Sequence, residues 1–263
     1  MHFTKMHGLG NDYLYVYGEV PPDVADLSRR LSDRHFGAGS DGMVYIGPSS
    51  VADFRMRIFN ADGSEALMCG NGIRCVGKYV YDKGITTKTN LRIETLSGIK
   101  DVGLQVAYGR VERATVGMGR AEVGDALELG VGGTVVRGVP VSVGNPHVVL
   151  FVEDAQSAPV DSLGPRLEHH PSFPDGVNVE FAQVLSRTEV RMRVWERGSG
   201  VTMACGTGAC ATAAAAVREG LCQAGLPITV HLDGGDLYIR VQDDFVVTMT
   251  GPATTVYEGD VEL

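Results

Sequence analysis

The sequence predicts an α/β (α+β) protein of two pseudo-symmetric halves, each a mostly antiparallel or mixed sheet wrapped around a central helix. Three observations predict this fold: an internal repeat, β-rich segments in both halves, and one helical segment at the matching place in each half. The 263 residues are 44% hydrophobic and 21% charged, so the chain can bury a core.

The repeat has an offset of 136 residues, which carries the RMRIF segment at Arg55 onto the RMRVW segment at Arg191. The same offset carries Cys69-Gly70-Asn71-Gly72 onto Cys205-Gly206-Thr207-Gly208. Gly10-Asn11 and Gly144-Asn145 match at nearly the same offset and in the same order. The halves therefore meet near residues 112–118, and we predict an N-terminal half of residues 1–114 and a C-terminal half of residues 115–251.

The β-rich segments predict three strands in each half and two more near the C-terminus. These are Leu14–Tyr17, Met43–Ile46, Phe54–Phe59, Val148–Val152, Val177–Ala182, Val190–Trp195, Phe245–Thr250 and Thr254–Tyr257.

Helices are predicted from about Asn71 to Asp82 and from about Thr207 to Arg218, and each is followed by a glycine that can end it. The second helix has small or apolar residues on every side, which predicts that it is buried.

Composition excludes several classes of protein. The net charge is −9 and the 23 basic residues are dispersed, which argues against nucleic acid as a partner. The chain lacks both a run of roughly 18 apolar residues and a leader pattern, so we expect a cytoplasmic protein without a membrane partner. Five dispersed cysteines argue against a disulfide framework. A pyridoxal cofactor would need one of only five lysines: Lys5, Lys78, Lys83, Lys88 and Lys100.

Cys69 and Cys205 precede the two predicted helices, where unpaired backbone N–H groups and the helix dipole favour an anion by about 0.3–1 kcal/mol. We therefore expect the pKa of both thiols to be lowered. The adjacent glycines let a ligand carboxylate approach the same N–H groups.

Other interpretations of these motifs are weaker. Cys75, Cys210 and Cys222 are expected to be buried structural residues. The cysteine spacings do not match paired zinc ligands, so no metal is predicted. The glycines at 37, 39 and 42 precede a strand where a dinucleotide site needs a helix. The segment from Gly72 to Lys78 lacks the serine or threonine of a phosphate-binding loop.

Two thiols from matching halves are expected to face one cleft, which would be the active site. One thiolate can remove a proton from a carbon while the other thiol protonates the opposite face, so configuration inverts without a cofactor. The substrate should carry an acidified C–H next to a carboxylate, since the helix N-termini can stabilise the charge that develops there.

The motifs resemble those of the diaminopimelate epimerase family over essentially the whole chain. The matching segments are His7–Asp12, Asn60–Glu65, Met68–Cys75, Gly144–His147, Gly176–Asn178, Trp195–Gly198 and Ala204–Cys210. The resemblance implies a pyridoxal-independent isomerase that interconverts LL- and meso-2,6-diaminopimelate, a small amino acid, for lysine and peptidoglycan synthesis. It also implies a homodimer of two-domain subunits in which residues 252–263 return to the N-terminal half.

By the same resemblance, Cys69 and Cys205 are the catalytic acid–base residues, His147 tunes Cys69, and Glu196 tunes Cys205. The distal amino acid end of the substrate would be held by Asn11, Asn60, Asn145, Asn178, Glu196 and Arg197. Backbone N–H groups of Gly70, Asn71, Gly206 and Thr207 would bind the reacting carboxylate. Many family members have glutamine where Gly42 stands here, so a substrate contact from that loop is not carried over.

Three rival functions stay open at this point. A proline- or hydroxyproline-type racemase would use the same two thiols without a clamp for a distal amino acid. A Cys–His acyl-transfer enzyme would pair Cys69 with His147 and leave Cys205 without a role. A non-enzymatic binding protein would hold a ligand without exchanging its protons with solvent.

Overall fold

The computed structural model describes residues 1–262 and has the mixed α/β character that the sequence predicts. The chain forms two compact units: unit 1 is Met1–Gly117 with the segment from Thr250 onward, and unit 2 is Met118–Met249. The domain limits drawn from the sequence, 1–114 with 252–263 and 115–251, stay a prediction, and Leu263 lies outside the described residues.

Unit 1 contains two helices and a sheet that begins with a hairpin. Its elements are β1 (His2–Gly8), β2 (Asn11–Tyr17), α1 (Val24–Ser32), β3 (Gly42–Gly47), β4 (Phe54–Asn60), β5 (Glu65–Ala66), α2 (Gly70–Asp82), β6 (Asn90–Thr95), β7 (Gly98–Ala107), most of β8 (Arg110–Arg120), and β19 (Thr254–Asp260).

Unit 2 has the corresponding set. Its elements are β9 (Glu122–Val123), β10 (Leu127–Val131), β11 (Thr134–Ser142), β12 (Pro146–Phe151), α3 (Val160–Glu168), β13 (Asn178–Ser186), β14 (Glu189–Glu196), β15 (Gly200–Val201), α4 (Gly206–Arg218), β16 (Pro227–Leu232), β17 (Gly235–Val241) and the first part of β18 (Val246–Pro252).

Strand pairing follows one scheme in both units. In unit 1, β1–β2 is antiparallel, β2–β3 parallel, β3–β4 antiparallel, β4–β6 parallel and β6–β7 antiparallel. In unit 2, β11–β12, β12–β13, β13–β14, β14–β16 and β16–β17 repeat that order of antiparallel and parallel pairs. The repeat seen in the sequence is therefore a repeat of topology, which confirms the two pseudo-symmetric halves.

In each unit the predicted helix packs against the sheet. Helix α4 contacts β9, β11, β12, β13, β14, β16 and β17, and every residue from Ala209 to Ala216 is fully buried. Helix α2 contacts β1, β2 and β7. Both helices begin one residue earlier than predicted, at Gly70 and Gly206, because the preceding cysteine is the N-cap.

Each unit also contains a second helix that was not predicted from the sequence. Helix α1 buries Val24, Leu27 and Leu31 at helical spacing, but serines fill the rest of that face and weaken the apolar pattern. Helix α3 contains Gly164 and Pro165, which normally argue against a helix interior. Among residues 1–262, none of the helices has the length and apolar character that crossing a bilayer requires.

Tight turns place polar residues at the starts of two strands. The β1–β2 hairpin turns through Leu9 and Gly10, whose φ angles of 59° and 90° fit a two-residue turn of the type that suits strand twist. Asn11 is therefore the first residue of β2. The β11–β12 connection turns through Gly144, φ 97°, and places Asn145 just before β12.

Candidate active site

Cys69 is the N-cap of α2, with extended backbone (φ −135°, ψ 116°) that leads into the helix. Its Sγ accepts a hydrogen bond from the Gly72 N–H at 3.3 Å, so the sulfur lies at the positive end of the helix. The thiol donates to Asn11 Oδ1, also at 3.3 Å. The residue as a whole is only partly buried.

Asn11 is oriented by Asp41, which the sequence analysis did not select. The Asn11 Nδ2 group donates to Asp41 Oδ2 at 2.9 Å, so the amide oxygen faces the sulfur. Asp41 also accepts from the Asp12 N–H at 3.0 Å and from Arg34 at 2.9 Å. Its position after the glycine-rich segment 37–39 was the only sequence signal for this role.

The other predicted residues of unit 1 are placed differently. Gly70 and Asn71 form the first turn of α2 next to Cys69, and Asn71 Oδ1 accepts from the buried Arg74 at 3.0 Å. Asn60 ends β4, where its amide donates to Ser64 Oγ at 3.0 Å. The backbone N–H groups of Gly70 and Asn71 thus belong to the helix end that Cys69 caps, as their predicted role requires. The Asn60 side chain instead hydrogen-bonds within its own turn.

Cys205 is the matching N-cap of α4, and its Sγ accepts from the Gly208 N–H at 3.3 Å. The Thr207 hydroxyl lies 3.5 Å from the same sulfur. Unlike Cys69, this residue is buried, with 5% of its surface exposed.

Glu196 lies close to Cys205, and its role in tuning that residue stays a prediction. Its carboxylate accepts hydrogen bonds from the Thr202 hydroxyl and from the Cys205 thiol. Burial raises the pKa of Glu196, and these two hydrogen bonds oppose that rise.

The expectation of a lowered pKa is wrong for Cys205. Burial, followed by the charges of Glu196 and Glu180, raises the pKa of this thiol well above its ordinary value. The hydrogen bonds from Thr207 and Gly208 oppose the rise without cancelling it. Two carboxylates and the loss of water therefore outweigh the helix end, and Cys205 carries its proton at neutral pH.

His147 belongs to a buried hydrogen-bonded chain within unit 2. Its Nδ1 lies 2.6 Å from Glu180 Oε1 and its Nε2 lies 3.1 Å from Asn145 Oδ1. Asn145 Nδ2 in turn donates to Thr207 Oγ1 at 3.2 Å. Glu180 was not predicted as a site residue, although a charged residue inside the apolar strand β13 is a signal. The influence of His147 on Cys69 stays a prediction.

Asn178 and Arg197 lie together in unit 2. Asn178 Oδ1 accepts from the Arg197 N–H at 2.9 Å and its Nδ2 donates to the Pro146 carbonyl, also at 2.9 Å. Arg197 donates to the Asp175 carbonyl at 2.7 Å, yet its side chain is exposed. Asn178 thus positions the backbone beside Arg197, whose guanidinium can still receive a carboxylate.

The chemistry that this arrangement allows is proton transfer. Each unit holds one thiol at a helix N-terminus, surrounded by hydrogen-bonding groups and by backbone N–H groups suited to an anion. Within residues 1–262, no three histidine, cysteine or acidic side chains converge in a way that could hold a metal ion.

Removing the charge of Glu196 should make Cys205 more reactive. The Glu196→Gln variant lacks the charge that helps to raise the thiol pKa, so more thiolate forms at pH 8 and iodoacetamide alkylates Cys205 faster. Each unit by which the pKa falls gives about a tenfold increase while the pH is below the pKa. Peptide mass spectrometry of timed samples measures the rate.

The control for that experiment is Glu219→Gln, which removes a carboxylate at the other end of α4, where Glu219 pairs with Arg137 at 2.7 Å. Its alkylation rate at Cys205 should equal that of the wild type. An unchanged rate in Glu196→Gln would contradict the assigned effect of Glu196.

Known proteins resemble this chain in sequence and in fold. The family model described as diaminopimelate epimerase matches residues 3–123 and 139–256. A diaminopimelate epimerase of Acetivibrio thermocellus is 48% identical over 100% of this chain and 99% of its own, and one of Parabacteroides distasonis is 51% identical over 100% and 98%. A probable proline racemase from Agrobacterium radiobacter has the same fold, with a TM-score of 0.78 at 19% identity over 100% of this chain and 93% of its own. The chain therefore belongs to the diaminopimelate epimerase family of isomerases.

Proposed function

We propose that the protein converts LL-2,6-diaminopimelate to the meso isomer without a cofactor, using Cys69 and Cys205 as its two acid–base residues. The observation that supports this most is the placement of one cysteine in each repeat as the N-cap of the central helix. Packing alone does not account for two sulfur atoms that both accept a backbone N–H at 3.3 Å.

In the proposed reaction Cys69 first loses its thiol proton to solvent, and the resulting thiolate then removes the α-proton while the C–H electron pair passes into the substrate carboxylate. Backbone N–H groups at Gly70 and Asn71 and at Gly206 and Thr207 stabilise the charge that develops. Cys205 then donates its proton to the opposite face of the same carbon, and the new C–H bond has inverted configuration. Cys205 suits the role of donor in this direction because its raised pKa keeps it protonated. The mechanism requires both sulfur atoms to reach one carbon.

The distal end of the substrate would be bound by the polar residues that the resemblance names. Arg197 can hold the distal carboxylate with two parallel hydrogen bonds, and Glu196 can accept from an ammonium group. The amides that complete this proposed set are Asn11, Asn60, Asn145 and Asn178. The structure also gives Asn11 and Asn145 partners close to the two cysteines, Cys69 itself and Thr207.

Incubation with diaminopimelate in deuterated water tests the proposal directly. Proton abstraction and return predict that deuterium enters one α-carbon together with inversion, which chiral chromatography and mass spectrometry can detect. Deuterium uptake by proline in place of diaminopimelate would support the racemase rival. Binding without any exchange would support a non-enzymatic protein.

Replacing Arg197 by alanine should raise the KM for diaminopimelate. A hydrogen bond to a charged group contributes about 1.5–3 kcal/mol, so kcat/KM should fall by roughly 10- to 150-fold. Steady-state kinetics measures this, with Arg187→Ala, an exposed arginine on the β13–β14 turn, as the control. An unchanged kcat/KM in the Arg197→Ala variant would contradict the proposal that Arg197 binds the distal carboxylate.

The acyl-transfer rival is disfavoured by the contacts of His147. That chemistry needs a ring nitrogen that can take the proton of Cys69. Both ring nitrogens of His147 instead hydrogen-bond inside unit 2, to Glu180 and Asn145, and the side chain has no exposed surface.

We further propose that the enzyme acts as a homodimer in the cytoplasm, where meso-diaminopimelate would serve lysine and peptidoglycan synthesis. The homodimer and the biosynthetic role are implied by the resemblance, and the cytoplasmic location is the expectation from the sequence pattern. Light scattering of the purified protein tests the dimer, since a monomeric mass at working concentration would contradict it.

A further inference from the structure

Glu180 is a buried carboxylate that the proposed chemistry does not use. It lies in β13 between neighbours that are also buried, and none of its surface is exposed. One oxygen, Oε1, lies 2.6 Å from His147 Nδ1. The other, Oε2, is buried and has no hydrogen-bond partner among the described residues. A buried charge of this kind is costly unless it is paired, so its retention calls for a partner of opposite charge.

The contacts of His147 define that partner. A carboxylate oxygen can only accept, and Glu180 Oε1 faces His147 Nδ1 at 2.6 Å. Nε2 faces the carbonyl oxygen of Asn145 at 3.1 Å, and this oxygen also only accepts. Each ring nitrogen of His147 therefore faces an oxygen atom that can accept a hydrogen bond.

A chain of hydrogen-bonding groups continues from His147 through Asn145 and Thr207 to Cys205. Because Asn145 directs its oxygen at His147, its NH₂ group donates to Thr207 Oγ1 at 3.2 Å. The Thr207 hydroxyl lies 3.5 Å from Cys205 Sγ, so its own hydrogen can point toward this sulfur while its oxygen accepts from Asn145. A neutral His147 would accept at Nε2 and reverse every donor in the chain, so that Thr207 would accept from the sulfur instead.

We propose that Glu180 is a positioning residue that holds His147 as a cation and thereby makes Thr207 donate to Cys205 as this sulfur gives up its proton. This deepens the proposed function and rests on Cys205 as a proton donor. Four ionisable groups meet at the N-terminus of α4: Cys205 itself, His147 from β12, Glu180 from β13 and Glu196 from β14. The charge of Glu180 helps to raise the pKa of Cys205, which favours the thiol before transfer. The Thr207 hydroxyl then stabilises the thiolate after transfer.

Nitrogen-15 NMR of the histidine rings in the wild-type enzyme tests the first step and needs no substrate. The His147 signals are assigned by their absence in a His147→Gln variant. We expect both ring nitrogens of His147 to show the chemical shifts of protonated nitrogen at neutral pH. One unprotonated nitrogen in the wild type would overturn the proposal, whatever the variants below do.

The Glu180→Gln variant tests the second step, because glutamine can still accept from Nδ1 but carries no charge. We expect one ring nitrogen of His147 to lose its proton at neutral pH. We also expect kcat to fall by about 10- to 100-fold, the cost usual for removing the partner that orients a functional histidine, with KM unchanged. A kcat equal to that of the wild type would overturn the proposal.

The matched control is Glu168→Gln, another buried carboxylate of unit 2, which accepts from Trp195 Nε1 at 2.7 Å. This variant should leave the His147 spectrum unchanged. A general effect of losing a buried charge would alter both variants alike and would contradict a specific role for Glu180. Since the spectra are independent of the substrate, an error about diaminopimelate and an error about Glu180 give different results.

Discussion

Alanine in place of either Cys69 or Cys205 is expected to abolish epimerisation yet preserve proton exchange in one stereoisomer. Each variant keeps a single acid–base residue, which can remove a proton and return one only to the same face of the carbon. Exchange of the α-proton with solvent then proceeds with retention of configuration. Inversion fails because the second cysteine, which would donate or accept the other proton, is missing. A positioned acid–base group contributes about 10²- to 10⁴-fold, so epimerisation should fall by at least that factor.

The measurement uses both isomers separately in deuterated water. The isomer that exchanges in Cys69→Ala should be the one that does not exchange in Cys205→Ala, because the remaining thiols act on opposite faces. Exchange by Cys205 alone should increase toward alkaline pH, since its pKa is raised and its thiolate is the base. Cys222→Ala, a buried cysteine after α4, is the control and should epimerise normally. Full epimerisation by Cys205→Ala would end the two-thiol proposal.

Gly208→Ala is expected to remove most activity while leaving the helix intact. A Cβ atom at Gly208 would lie 2.7 Å from Glu180 Oε1 and 3.2 Å from Cys205 Sγ, so the carboxylate and the sulfur must both move. Alanine is otherwise favoured over glycine in a helix by about 1 kcal/mol. Because a displacement of about 1 Å at a reacting group can cost 100-fold, we expect kcat/KM to fall by about that factor.

The repeat supplies a matched comparison for this variant. At Gly72, the counterpart in unit 1, an added Cβ would lie 3.1 Å from the flexible end of Met56 and 3.6 Å from Cys69 Sγ. Gly72→Ala should therefore lose less activity, and Gly130→Ala, where the space is open, should lose none. Kinetics and thermal unfolding of the three variants check this. A Gly208→Ala enzyme as active as the wild type would mean that Glu180 and Cys205 need not keep their positions.

The parts of the fold and site that depend on local sequence were predictable. A Cys-Gly-x-Gly segment before a helical pattern marks an N-cap followed by close backbone approach, and both Cys69 and Cys205 are N-caps. The apolar segment from Ala209 indicated a buried helix, and α4 is buried. The duplicated order of these signals predicted the duplicated topology.

The parts that depend on distant residues were not predictable. The pKa of Cys205 is set by burial and by Glu196 and Glu180, which β14 and β13 bring to the start of α4. The helix N-terminus, which can be recognised in the sequence, would by itself lower the pKa of this thiol. Asp41 likewise hydrogen-bonds to Asn11, the partner of Cys69, from 30 positions away in the chain.

The pairing of β19 with β1 bears on the order in which the protein matures during synthesis. Strand β1 joins β2 along one edge and β19 along the other, in antiparallel register from His2 with Asp260 to His7 with Thr254. During synthesis β1 therefore emerges well before its partner β19, because all of unit 2 is translated between them. A chain truncated after Pro252 would leave β1 with an open row of backbone donors and acceptors. Such an exposed edge recruits strands from other molecules, so the truncated protein should aggregate.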